Sequence, residues 1–167
     1  MDIGIFLLRI TIGLTLAAHG GQKLFGWFGG PGLQATGQGM EMLGFTPGRR
    51  HALMAGLAEL GGGLLFALGL FTPLAATVVA SVMLVAGVSA HARNGFFMTK
   101  GGYEYTLVFG MAGLAVAFTG PGALSLDAFA GQSVNGVVWG VGALVVAAGG
   151  ALVQLAQRRS PRAAAAA

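Results

Sequence analysis

The stretch HALMAGLAELGGGLLFALGLFTPLAATVVASVMLVAGVSAH, residues 51–91, decides the fold of this protein. It holds two apolar runs of about 20 residues each, which is the length that a helix needs to cross the hydrocarbon core of a bilayer. Between the runs stands Phe71-Thr72-Pro73, and proline is tolerated in the first turn of a helix but not in its interior. The stretch therefore predicts an antiparallel pair of transmembrane helices joined by a tight turn.

Further apolar runs extend this pattern in both directions along the chain. Transmembrane helices are predicted at residues 3–21, 51–71, 73–91, 103–119 and 134–155. The composition agrees, since 55% of the residues are hydrophobic and only 8% are charged, whereas a soluble domain carries about 25% charged residues. We therefore predict an all-α integral membrane protein, a bundle of about five transmembrane helices in contact with the lipid bilayer.

The chain is expected to divide into three parts. Residues 1–133 form a four-helix membrane core, residues 134–156 add a C-terminal transmembrane helix, and residues 157–167 form a basic, disordered cytoplasmic tail. The longest loop, residues 25–50, contains a stretch at 33–43 that is compatible with a short surface helix.

The basic residues predict the orientation in the membrane. The net charge is +4, and with five spans eight of the nine basic residues share one side, namely Lys23, Arg49, Arg50, Arg93, Lys100, Arg158, Arg159 and Arg162. The positive-inside rule then places the C-terminus in the cytoplasm and the N-terminus outside, in a bacterial inner membrane. Because topology explains these charges, we do not expect a nucleic acid partner.

The chain has no cysteine. A disulfide, a CxxC redox couple, a thiolate nucleophile and a cysteine-ligated iron–sulfur cluster are therefore excluded. Any redox chemistry would need a bound cofactor or a partner protein.

Two ionisable residues lie inside predicted spans, where they are expensive and are functional candidates by default. Arg9 either snorkels to the outer interface, pairs structurally or contacts a cofactor. Glu59 lies too deep for its short side chain to reach water, so it must be protonated, paired or facing a wet cavity. Gly56, Gly62 and Gly63 share its helix face, so Glu59 should face another helix. A structural salt bridge is the alternative to a catalytic role.

Other candidates lie near the cytoplasmic ends of the spans. His19 and Lys23 share one helical face, His91 ends the third span, and Glu104 opens the fourth span beside Tyr103 and Tyr105. We predict that His19, Lys23, Glu59 and Glu104 are catalytic, and that Arg9, His91, Tyr103 and Tyr105 bind a cofactor. Structural alternatives are an interfacial anchor for Lys23 and a favourable helix N-terminus for Glu104. Haem ligation by His19 and His91 is disfavoured, and no metal site is expected. Asp127 is expected to cap a short helical turn.

These residues occur in segments that resemble the DoxX family of small bacterial membrane proteins. The resemblance runs from Asp2 to Asp127 and is carried by Arg9, HGGQKL at 19–24, AELGG at 58–62, LGLFTP at 68–73, NGFF at 94–97, GGYEY at 101–105, GPG at 120–122 and SLD at 125–127. The family's usual core has four helices, so the run from Val134 is an addition. The family name derives from a subunit of an archaeal thiosulfate:quinone oxidoreductase, and other members are linked to redox and sulfur-stress complexes, so the resemblance implies a redox role.

Three functions follow as hypotheses. The first is a subunit of a quinone-linked oxidoreductase in sulfur or oxidative-stress metabolism, with membrane quinone as the candidate cofactor. The second is a non-enzymatic anchor that recruits soluble redox enzymes to the cytoplasmic face. The third and least favoured is a small transporter or proton pathway, which five spans without a repeat would suit only in a homo-oligomer.

Overall fold

A computed structural model describes residues 2–132 and 134–159, and its regular secondary structure is entirely helical. About 80% of the chain is helix, and the described ranges contain no strand. The α-helices are α1 (Asp2–Phe25), α2 (Gly32–Met42), α3 (Gly48–Leu68), α4 (Thr72–Ala86), α5 (Glu104–Thr119), α6 (Leu126–Phe129) and α7 (Val137–Ala156). The prediction of an all-α membrane bundle is confirmed.

Four helical segments are long and apolar enough to cross a membrane. They are Asp2–Phe25, Gly48–Leu68, Thr72–Asn94 and Val137–Ala156, and the third includes a π-helical turn at Gly87–His91. Helix α5 is apolar but has only 16 residues, which corresponds to about 24 Å at 1.5 Å per residue. The protein is therefore a multi-pass membrane protein in which the predicted fourth span is shorter than its neighbours.

One end of the bundle, here called the acidic end, gathers the start of α1, the α3–α4 turn and the segment after α5. The Asp2 carboxylate accepts a hydrogen bond from Ala123 N at 2.9 Å. The Asp127 carboxylate accepts from Phe71 N at 2.9 Å and from Thr72 N at 2.8 Å. Asp2 and Asp127 are the only charged residues in these described segments.

The opposite end, here called the basic end, gathers every described lysine and arginine except Arg9. Two of them hold the C-terminus of α7 against the loop before α3: Arg158 Nε donates to Leu43 O at 3.0 Å, and Arg159 N donates to Gly44 O at 2.8 Å. The first residues of the predicted tail are thus bonded to the bundle. The rest of that tail, residues 160–167, lies outside the described residues.

Helices α1 and α3 pack backbone to backbone because glycines line both surfaces. A Cβ on Gly13 would lie 2.5 Å from Gly63 O, and a Cβ on Gly20 would lie 2.6 Å from Gly56 O. Such distances are far shorter than real contacts of a Cβ, so only glycine fits. Small residues serve this purpose in membrane bundles, where close approach maximises van der Waals contact.

Helix α4 is central and packs against α3, α5 and α7. The core around it contains Phe66 from α3, Val79 from α4, Val116 from α5 and Ala143 from α7, all buried. The C-terminal helix is therefore packed into the bundle. Its outer face is apolar and exposed, as expected for a surface that contacts lipid.

From the α1–α3 contact we predict that one added methyl group destabilises the protein at some glycines and not at others. Gly20→Ala should lower the free energy of unfolding by about 1–3 kcal/mol, because overpacking forces the helices apart. Gly61→Ala is the matched control on α3, since a Cβ there meets nothing within 4 Å. Titration of dodecyl sulfate into mixed micelles measures both values. Equal stability of the two variants would contradict the close packing.

Candidate functional site

A buried ion pair joins α1 to α3 near the basic end. Lys23 Nζ in the last turn of α1 binds Glu59 Oε2 in the middle of α3. The Glu59 side chain is 4% exposed and that of Lys23 is 27% exposed. It is the only ion pair among residues 2–132 and 134–159. Because a charge inside a membrane bundle is costly unless paired, the pair compensates both partners.

The α1–α3 contact positions this pair. Gly20 lies one turn before Lys23 and meets the backbone of Gly56 and Leu60. Glu59 lies between Gly56 and Leu60 in the chain, so it stands where the two helix backbones are in contact. The flexible side chain of Lys23 therefore needs to span only the short distance between the two helices to reach Glu59.

Two cavities flank the ion pair. The first, the α1–α5 cavity, has a volume of about 330 Å³ and is lined mainly by residues of α1, α4, α5 and the segment between α4 and α5. The second, the α3–α7 cavity, has a volume of about 380 Å³ and is lined mainly by α3, α4, α7 and the loop before α3. Lys23, Glu59 and His91 line both cavities. The pair therefore forms part of the wall between them.

His91 ends a π-helical turn, Gly87–His91, that continues α4. Such turns are rare and often occur at functional sites. His91 Nδ1 lies 2.8 Å from Gly101 O. Since a carbonyl oxygen only accepts, this bond assigns the proton to Nδ1 and leaves Nε2 as an acceptor in the neutral ring. His91 is thus a potential hydrogen-bond acceptor among the residues that line both cavities.

Several of the predicted site residues share the α1–α5 cavity. His19, Lys23, Glu59, His91 and Tyr105 all line it, together with apolar Leu16, Met83 and Phe109. His19 and Tyr105 are exposed and belong to α1 and α5, which barely touch each other. The cavity therefore combines polar groups from several helices with an edge between two helices that face the bilayer.

Three predicted residues do not join this cluster. Glu104 Oε2 accepts a hydrogen bond from Met98 N at 3.0 Å, so this carboxylate holds the loop before α5. Tyr103 packs edge-on against Phe96, with ring centroids 5.5 Å apart, and lines a separate groove. The third, Arg9, lies near the acidic end.

Arg9 is fully buried at 0% exposure, so its side chain does not snorkel to the surface. Its Nη2 donates to Leu124 O, and the guanidinium lies against Gly69, where a Cβ would collide with it. Gly69 ends α3 with φ +61°, a left-handed conformation that glycine adopts without strain. Arg9 therefore packs between the C-terminal end of α3 and the segment after α5.

Asp127 plays a larger part than the expected cap of a short turn. Ser125 caps α6, since its Oγ accepts from Ala128 N at 3.2 Å. Asp127 is buried and accepts from Phe71 N, the amide of the N-cap residue of α4, and from Thr72 N, the first amide of α4. It thus caps a helix 55 residues earlier in the chain, which local spacing does not reveal.

The α3–α7 cavity contains a polar group that the sequence reasoning missed. His51 is buried, packs against Phe45 and bonds through Nδ1 to Gln154 Nε2 at 2.8 Å. Buried Ser89 lines the same cavity. In the sequence, the one indication of this polar contact is Gln154, a polar residue within the otherwise apolar C-terminal run. Among the described residues, no three His, Cys, Asp or Glu side chains gather as a metal site.

The unequal exposure of the two ion-pair partners predicts unequal losses of stability. Lys23→Met leaves the Glu59 carboxylate buried and unpaired, and should lower the free energy of unfolding by about 3 kcal/mol. Glu59→Gln should cost less, because the partly exposed lysine can extend toward the interface. Dodecyl sulfate titration of both variants and of the double variant measures the coupling between them.

Glu41→Gln is the matched control, since Glu41 Oε1 accepts from Gly48 N at 3.0 Å and an amide oxygen can replace it. It should leave the free energy of unfolding almost unchanged. A smaller loss for Lys23→Met than for Glu59→Gln would contradict the assignment of Glu59 as the buried charge that needs its partner.

Comparison with known proteins agrees with this architecture. The model of the DoxX family matches residues 4–92, which span α1 to α4 and include the ion pair. A protein of Haemophilus influenzae described as uncharacterized is 32% identical over 123 residues, which covers 72% of this chain and 85% of that protein. No solved structure matches the chain. The chain belongs to the DoxX family.

Proposed function

We propose that this protein is the membrane subunit of a redox system and that its α1–α5 cavity takes a quinone. The observation that carries the proposal is the buried Lys23–Glu59 pair in the wall of a largely apolar cavity that two histidines also line. A binding site for an apolar redox ring needs mostly apolar walls and a few polar groups that fix its orientation. This cavity has that combination.

The residues present fit a quinone. Lys23 can donate to a quinone carbonyl, and the acceptor Nε2 of His91 can receive a hydrogen bond from the hydroxyl of a quinol. Leu16, Met83 and Phe109 offer an apolar surface to the ring. An entry from the bilayer between α1 and α5 would suit a molecule that is dissolved in lipid.

The reaction balances only with a partner. Reduction of a quinone to a quinol takes up two electrons and two protons. Glu59, Lys23 and His91 can supply or receive the protons as general acids and bases. Cysteine is absent from the chain, so we assign the electrons to a partner protein that carries its own redox group.

A non-enzymatic anchor is the second candidate. Arg49, Arg50, Arg93 and Lys100 are exposed at the basic end, and the exposed face of α2 adds a polar surface formed by Gln34, Gln38 and Glu41. A soluble acidic enzyme could bind this face through charge complementarity, which increases the rate and selectivity of association. The anchor requires no ligand in the cavity.

We assign the protein to the bacterial inner membrane with the basic end in the cytoplasm. The support is the separation of charge, because every described lysine and arginine except Arg9 lies at that end. The quinone site would then lie near the cytoplasmic surface, where soluble partners are available.

The absence of cysteine makes this orientation directly testable. Gln132→Cys introduces an exposed thiol at the acidic end, and Thr99→Cys introduces one at the basic end. On spheroplasts, a membrane-impermeant maleimide should label the Gln132→Cys variant only, and it should label both after lysis. The unsubstituted chain is the blank. Labelling of only the Thr99→Cys variant on spheroplasts would reverse the orientation.

The quinone proposal predicts a ligand that depends on Glu59. The protein in nanodiscs supplied with decylubiquinone should retain about one molecule per chain, quantified by mass spectrometry after exchange into quinone-free discs. Glu59→Gln should reduce the retained amount at least about tenfold, since Lys23 loses the partner that holds its ammonium group at the cavity wall, and a charge-assisted contact such as that of Lys23 with a quinone carbonyl contributes about 1.5–3 kcal/mol.

Glu41→Gln is again the control and should retain the same amount of quinone as the parent. Absence of quinone from the parent, together with co-purification of soluble redox enzymes that Glu59→Gln does not disturb, would reject the quinone site and favour the anchor. Circular dichroism on each sample separates a lost site from a lost fold.

A further inference from the structure

A third cavity lies apart from the ion pair, between α4, α5 and α7. Its volume is about 430 Å³, and its lining is almost wholly apolar. We call it the lipid-side groove because exposed Leu84, Leu107, Met111 and Leu144 are among the residues that line it. These side chains face outward from the bundle, where the hydrocarbon of the bilayer surrounds the protein.

Small residues create the groove. The small residues in its lining are Ala80, Gly87, Gly110, Ala147 and Ala148. Because alanine has only a methyl group and glycine has no side chain, these residues leave space between three helices that otherwise pack closely. Gly87 also begins the π-helical turn. A polar ligand would find almost no hydrogen-bonding partner along this lining, so the groove suits an alkyl chain.

The groove ends at the basic end of the bundle. Ala92 and Tyr103 line it there, beside the turns Ala92–Asn94 and Met98–Lys100. These turns carry Arg93 and Lys100, which are exposed. No carboxylate of the described residues pairs with either of them. An apolar groove thus leads to two basic side chains that are free to bind an anion.

We propose that the lipid-side groove binds one anionic phospholipid. One acyl chain lies between α4, α5 and α7, and the phosphate group binds Arg93 and Lys100 beside the Tyr103 hydroxyl. Basic pockets between helices at a membrane surface recognise anionic head groups in this way. The interaction of Tyr103 with Phe96 fixes its ring at the mouth of the groove.

The proposal is tested by native mass spectrometry of the full chain in detergent. The protein is titrated with dioleoyl phosphatidylglycerol or, separately, with dioleoyl phosphatidylcholine. We expect one retained phosphatidylglycerol and at least about tenfold weaker retention of phosphatidylcholine. The double variant Arg93→Gln/Lys100→Gln should weaken retention of phosphatidylglycerol about 30-fold, since each basic side chain contributes roughly fivefold at an anionic surface.

Two matched controls separate the site from general effects. Arg49→Gln/Arg50→Gln removes the same charge from the same end, but these residues lie in the first turn of α3, a helix that does not line the groove, so retention should be unchanged. Ala148→Phe fills the groove and should abolish retention, whereas Gly149→Phe on the same helix should not, because Gly149 is exposed and no neighbour lies near it.

Three results would overturn the proposal. Equal losses in the two double variants would mean that the lipid responds only to net charge. Gly110→Leu is a second variant that fills the groove. If folded Ala148→Phe and Gly110→Leu variants both retain phosphatidylglycerol as well as the parent does, no acyl chain enters the groove. A stable dimer that Ala148→Phe disrupts would mean that a helix of a second copy covers the groove.

Discussion

The contact between α1 and α3 is the constraint on which the rest of the structure depends. Gly13, Gly20 and Gly63 let the two backbones touch, and this closeness brings Lys23 within reach of Glu59. Without it, the Glu59 carboxylate would be a buried charge without a partner, at a cost of several kcal/mol. Interhelical packing and charge compensation therefore depend on each other: the glycines that allow the close packing also determine where a buried glutamate can find its partner.

At the acidic end, the polar contacts serve to satisfy the hydrogen-bonding groups of the backbone. The α3–α4 turn leaves the first amides of α4 without helical partners, and Asp127 supplies both acceptors from a distant part of the chain. Arg9 lies fully buried nearby and donates to Leu124 O. These bonds connect α1, the α3–α4 turn and the segment after α5, so the acidic end is closed by polar contacts while the basic end contains the two cavities.

The sequence predicted the features that depend on local pattern. Apolar run length located the helices, and the glycines around Glu59 correctly indicated that it faces another helix. The sequence left open which residue pairs with Glu59 and did not reveal that Asp127 caps α4, because both depend on how the helices are placed along one another. Helical periodicity defines which residues share a face but carries no information on that register. The sequence did not locate Glu104 and Tyr103 for a related reason: the short turns before α5, whose geometry the pattern does not determine, place them outside the α1–α5 cavity.

The two sets of buried charged groups differ in a way that bears on function. Both oxygens of Asp127 bind backbone amides, and neither Arg9 nor Asp127 lines any of the cavities described above. Glu59 has one side-chain partner that is itself partly exposed, and it borders a cavity on each side. Because both of its oxygens are bonded in a packed environment, Asp127 cannot take a new partner without losing a bond to the start of α4. Glu59 is held by a single partly exposed lysine beside open volume, so the proposal of a ligand site rests on Lys23 and Glu59 and not on Arg9 and Asp127.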